Sequence, residues 1–275
     1  MVAEVLDPGV IDPAVPEIVG PRHTGRHGSP AYGDNGTVPV PADPAAPSTT
    51  VLFDLDGTIT DSFDGIAASF RHALSEIGAP EPDPEVVAGI AGPPMSDTFT
   101  ALGLDDDTVE AAMTAYRGRY TTIGWRENSV FPGMDDLLRD LRASGRRMAV
   151  STSKNETTAR RILEHFGLDG HFDVIAGASD DGTRRSKSDV VAHALAELGV
   201  TAAGSGDPTA DVIIVGDRSH DVHGAGEFGI PAVFVEWGYA RPGEVDDAQW
   251  SVASVADLRA ILGLDEATTS GAATR

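Results

Sequence analysis

Short apolar runs alternate with amphipathic stretches along most of this chain, and that alternation constrains the fold more than any other feature. Apolar runs at 50–54, 146–152, 172–178, 211–217 and 231–237 are five to seven residues long and rich in Val, Ile, Ala and Phe. Runs of that length, bounded by polar and turn residues, predict buried strands. Between them, 133–145, 155–167, 186–199, 222–229 and 254–263 place apolar residues at helical spacing, several closing on Gly. Asn155 and Gly167 are the expected N-cap and C-cap of one of these helices. Strands alternating with helices predict an α/β fold, a doubly wound parallel sheet covered on both faces. The stretch 64–130 breaks the alternation. It predicts helices at 64–78, 84–92 and 105–125 with no intervening strand, so it reads as a helical insert after the first strand.

In such a sheet the ligand crevice lies beyond the carboxyl ends of the strands. The first run leads into VLFDLDGTITDS, which sets Asp54 and Asp56 two positions apart and follows them with Gly57. Two acids at the end of a packed strand repel each other and are penalised by desolvation, unless a cation lies between them. The second run ends in Ser151, Thr152, Ser153 and Lys154; Lys187 opens a later helix; the 211–217 run ends in Asp217, Arg218, Ser219, His220 and Asp221. Oxygen donors for a hard cation and hydroxyl and ammonium contacts for a phosphate thus fall at the ends of successive strands. Each has a plainer reading as a strand-end acid, a buried β-branched residue or a solvated helix-start lysine. The ordered set is what favours chemistry. For Lys154 the rim of a pocket and a solvated helix start stay open, as do a salt bridge and a rim contact for Arg218. His220 and His223, at a spacing of three, are a weak metal pair, and Trp237 and Tyr239 read as packing residues.

Composition narrows the partners. Forty-three acids against 20 bases give a net charge of −23 over 275 residues, which disfavours nucleic acid and anionic membrane surfaces and attracts divalent cations. Only Lys154 and Lys187 of the 20 bases are lysines. There is no cysteine, hence no disulfide and no thiolate chemistry. The first residues show no signal-peptide pattern and no apolar run is long enough to span a bilayer, so a cytoplasmic location is expected. Residues 1–48 hold nine of the 18 prolines and read as a disordered tail, as do 265–275.

The segments DLDGT, STSK, Lys187 and GDRSHD, in that order, resemble the four motifs of the haloacid-dehalogenase-like phosphatase superfamily, in its phosphoglycolate-phosphatase-like branch. The resemblance implies a Rossmann-like core at 49–63 and 131–264 with a helical cap at 64–130. It implies Mg²⁺ held by Asp54, the backbone carbonyl of Asp56 and Asp217, with Asp221 behind them. Asp54 is the implied nucleophile and Asp56 the acid and base. Thr152, Ser153, Lys187 and Gly57 are the implied phosphate contacts, and Gly92, Pro93 and Pro94 the cap residues facing the site. The implied activity is hydrolysis of a small, phosphoglycolate-like phosphomonoester through an aspartyl-phosphate. SFRHAL, GPPM and STSKNETTARRIL are similar, more narrowly, to mycobacterial members described as tyrosine kinases acting on a tyrosine phosphatase partner. The alternative is therefore phosphate transfer from ATP to a partner protein.

Overall fold

The computed structural model describes residues 42–202, 209 and 211–264. The expectations for 1–41 and 265–275 fall outside the described residues. Six strands form one parallel sheet in the order β5-β4-β1-β6-β7-β8. They are β1 (Thr50–Phe53), β4 (Met148–Asn155), β5 (Val174–Ala178), β6 (Val212–Gly216), β7 (Ala232–Val235) and β8 (Trp250–Val252). All four residues of β1 are buried, as are all five of β6, which is why their sequences are continuous apolar runs rather than alternating ones. Helices cover both faces: α5 (Met134–Ala143), α6 (Glu156–Phe166) and α9 (Val255–Ile261) contribute to one buried cluster, and α7 (Lys187–Leu198) and α8 (Ser219–Gly226) to the other. Asn155 caps α6 by accepting from the Thr158 N–H (3.1 Å), and Gly167 ends it in the left-handed conformation.

The central strand β1 lies between β4 and β6, so the chain crosses over in opposite directions on its two sides. That is the switch point at which a parallel sheet opens a crevice. Immediately after it, β2 (Thr60–Asp61) pairs antiparallel with β3 (Ser129–Val130). This short stem marks where the helical stretch leaves and rejoins the sheet. The stretch contains α1 (Phe63–Glu76), α2 (Pro84–Ala88), α3 (Met95–Ala101) and α4 (Asp106–Thr122). It buries its own apolar face, with the rings of Phe70 and Phe99 stacked at 5.4 Å.

Three features differ from expectation. The residues 42–48, read as the end of a disordered tail, are folded: Ala42 is buried, and the buried Arg146 guanidinium donates to the carbonyls of Pro44, Ala46 (2.7 Å) and Leu262 (2.7 Å). The tertiary partner supplies what a Pro-rich sequence lacks locally. The helix α3 follows directly on Pro94, where a turn alone is predicted, because proline is compatible with a helix start. The strands β2, β3 and β8 are two or three residues long, too short to show any period. No helix among the described residues is long and apolar enough to cross a membrane.

Candidate active site

The carboxyl ends of β1, β4 and β6 and the start of α7 converge on one charged floor. Asp54 follows β1, and its N–H donates to Val215 of β6 (2.9 Å), which holds the residue in the line of the strand. Its Oδ1 meets Lys187 Nζ at 2.7 Å. The same ammonium lies 2.5 Å from Asp221 Oδ1 and donates to the Ser151 carbonyl at 2.5 Å. Lys187 is the first residue of α7, whose start is locked by a capping box between Ser186 and Asp189. Asp217, fully buried, accepts from the Tyr239 N–H (2.6 Å) and the Thr58 hydroxyl (3.3 Å). Gly57 sits against it at φ +84°, and a Cβ there would overlap the Asp217 carboxylate. Only glycine combines that backbone conformation with that proximity.

Asp54, Asp217 and Asp221 each bring an oxygen within 4.8 Å of the others. One lysine faces three buried carboxylates, so the floor carries excess negative charge. Burial pushes the Asp54 carboxyl up to about 7, against the pull of Lys187 and with further repulsion from Asp221. Burial, then repulsion from Asp221 and Asp54, likewise raises Asp217 well above the usual carboxylate range. An all-oxygen, net-negative donor set of this kind fits a hard divalent cation such as Mg²⁺. The acidic cluster includes Asp221, expected only behind the metal ligands. It does not include the Asp56 carboxylate.

That carboxylate is held elsewhere. Its Oδ1 accepts from the Ser62 hydroxyl (2.5 Å) and its Oδ2 pairs with Lys154 Nζ (3.0 Å). Lys154 is no solvated helix-start residue. β4 runs three residues past its expected end, and the Lys154 side chain is only 9% exposed. It also donates to the Tyr120 hydroxyl of α4 (2.8 Å) and lies over that ring at 4.6 Å. Burial lowers the ammonium, but Asp56 and the two tyrosines Tyr120 and Tyr116 outweigh that and hold it above its ordinary range. Being one of only two lysines in an Arg-rich chain is the only sequence signal for this contact.

Thr152, almost wholly buried, accepts from the Lys154 N–H (3.2 Å) and lines the cavity with Ser153. That cavity, of about 650 Å³, also contains Asp54, Asp56, Gly92, Pro93 and Pro94 on its walls. Arg218, open between two readings in the sequence, is a clamp. Its buried guanidinium grips Glu244 twice (2.8 and 3.1 Å) and donates to the Ala91 carbonyl of the helical insert. Gly92, at φ +110°, is the neighbour that permits this, since a Cβ there would strike the guanidinium. Glu244 lies far along the chain and carries no motif, so its part is invisible in the sequence. His223 pairs with Asp247 at the surface (3.0 Å), away from the acidic cluster. Trp237 and Tyr239 brace the loop after β1 by donating to the Thr58 carbonyl (3.2 Å) and the Asp61 carboxylate (2.9 Å).

Comparison with known proteins places this arrangement. The model of the haloacid dehalogenase-like hydrolases matches residues 51–235. The chain belongs to that family. This haloacid dehalogenase-like hydrolase is 50% identical over 228 residues to the tyrosine-protein kinase PtkA of Mycobacterium tuberculosis, covering 81% of this chain and 75% of that one. It is 36% identical over 223 residues to a 5'-nucleotidase of Pseudomonas aeruginosa, covering 80% and 98% of the two chains. Among solved structures, a predicted phosphatase from Clostridium acetobutylicum superposes with a TM-score of 0.70 at 35% identity, over 78% of this chain and 97% of that one.

Proposed function

We propose that this hydrolase cleaves phosphomonoesters through an aspartyl-phosphate on Asp54, with Mg²⁺ as cofactor. The observation that carries the reading is the floor itself: Lys187 between Asp54 (2.7 Å) and Asp221 (2.5 Å), with Asp217 in the same cluster. A carboxylate oxygen of Asp54 forms a bond to phosphorus while the phosphorus–oxygen bond to the alcohol breaks. Asp56 gives its proton to the departing oxygen. It then takes a proton from water, whose oxygen attacks phosphorus and releases inorganic phosphate and the Asp54 carboxylate. Ser62 and Lys154 hold the Asp56 carboxylate in place for both transfers. Thr152, Ser153 and Lys187 contact the phosphoryl oxygens. Asp54, the Asp56 carbonyl and Asp217 would hold the ion, with Asp221 beside them. When bound, Mg²⁺ offsets the charge spreading over the phosphoryl group.

The purified chain should release nitrophenolate from p-nitrophenyl phosphate when Mg²⁺ is present. No release with Mg²⁺, Mn²⁺ or Co²⁺ would remove the hydrolase reading. The 50% identity to proteins named tyrosine kinases gives the phosphoryl group a second candidate recipient, a tyrosine hydroxyl in place of water. Labelled ATP, incubated with the chain and a tyrosine phosphatase partner, tests it; label on no tyrosine would close that route for the partner used.

A further inference from the structure

The cavity above the acidic floor has two further properties. Its wall from the helical insert carries an apolar and aromatic patch, Ile66, Ile90, Met95, Met113, Tyr116 and Tyr120, beside Ser96, Arg117 and Thr121. The rings of Tyr116 and Tyr120 stack in parallel, with centroids 5.6 Å apart and 7° between planes. Its lysines and arginines other than Arg117, moreover, are already matched. Lys154 is paired with Asp56 (3.0 Å), Arg184 with Glu156 (2.5 Å), Arg218 with Glu244 (2.8 Å) and Arg185 with Asp97. Arg117 is the one arginine of the lining without an ion pair among the described residues, and it is exposed.

We propose that the group cleaved from phosphate is an uncharged alcohol bearing an aromatic ring, the chemistry shared by nucleosides and phenols, and not a two-carbon carboxylic acid. The inference rests on the phosphomonoesterase reading above and adds the substrate class. A small acid such as glycolate brings a second anion into the cavity. Bound inside the cavity, that anion would either take a cation from its present partner and leave the partner's carboxylate unmatched, or reach out to Arg117 at the solvent-exposed edge. A ring needs no such exchange. It gains area against the tyrosines and contact with the two methionine sulfurs. The volume of about 650 Å³ is also in the range of sites for drug-sized ligands, far more than glycolate fills.

The test compares kcat/KM for nucleoside 5'-monophosphates, phenyl phosphate, O-phosphotyrosine peptide and phosphoglycolate, all with Mg²⁺. The ring-bearing esters should exceed phosphoglycolate by about tenfold or more. Among them, preference for nucleotides assigns the nucleoside, and preference for phenyl phosphate or the peptide assigns the phenol. Tyr116→Ala and Met113→Ala should raise KM for the ring-bearing esters about fivefold, change kcat less, and narrow their advantage over phosphoglycolate. Phosphoglycolate turned over as well as the ring-bearing esters, or an equal loss on every substrate in both variants, would overturn the inference. Thermal-shift titration of Asp54→Asn, in which the nucleophile is removed, ranks the same ligands by binding alone. An inactive parent enzyme whose Asp54→Asn form still prefers nucleotides would refute the hydrolase reading and keep the substrate class. An active parent that prefers phosphoglycolate would do the reverse.

Discussion

The floor and the roof of the cavity are built on opposite principles. The floor is charge-dense and rigid: Asp54, Asp217, Asp221 and Lys187 are all buried, and each is set by a strand end or a helix start. The roof, from α1, α3, α4 and the 89–94 loop, presents apolar and aromatic side chains beside Ser96, Arg117 and Thr121, and it is tied to the sheet side by polar contacts as well as apolar packing. Arg218 reaches the Ala91 carbonyl, Arg241 the Gly89 carbonyl (3.0 Å), and Lys154 the Tyr120 hydroxyl (2.8 Å). The floor carries the groups proposed to react, which have to be held to within about 0.5 Å of the productive geometry, so it sits on the sheet. In the proposed reaction the roof would select what is attached to the phosphate, a role suited to side chains that can change without disturbing the floor.

This contrast can be broken from either side. The largest effect should come from Asp54→Asn, which removes the proposed nucleophile: kcat should fall by at least about 10³-fold while the far-ultraviolet dichroism stays unchanged. Lys187→Met comes next. It leaves Asp54 and Asp221 facing each other in a buried site, and denaturant unfolding should show a loss of about 3–5 kcal/mol. A floor that tolerates this change would not be held together as one electrostatic unit. Added Mg²⁺ should raise the thermal midpoint, by the equivalent of about 2.7 kcal/mol at a hundredfold excess over its Kd, and Asp217→Asn should abolish that gain. The smallest effect belongs to the roof. Arg218→Lys keeps the charge but loses the fork that spans Glu244 and Ala91. The amides of the 89–93 loop should exchange faster, and kcat/KM should fall about tenfold, mostly through KM. An equal loss in kcat would make Arg218 part of the reacting floor and not only its clamp on the roof.

The positions of the floor were readable because they follow from chain geometry. A short run such as VLF or VIIV, bounded by turn residues and alternating with helices, reads as a strand buried on both faces, and the residue after it emerges at the carboxyl edge of the sheet. Asp54, Thr152 and Asp217 are therefore brought together by backbone alone, and Lys187 joins them through a helix whose start is marked by Ser186 and Asp189. The pairing of Lys154 with Asp56 was not readable. It depends on β4 extending to Asn155 and on α4 carrying Tyr120 across the site, and neither is a local property of STSK. The same holds for Arg218, whose partners Glu244 and Ala91 lie 26 and 127 positions away.

By itself the sequence determined the alternating architecture, the insert after the first strand and the acids that end the strands. Each of these is written in residue periodicity and in steric rules that act over a few positions. The tertiary structure alone decided which cations were already matched, what lined the roof, and that residues 42–48 belong to the fold. Those outcomes depend on burial, which is a property of packed surfaces, and on partners that no spacing along the chain encodes.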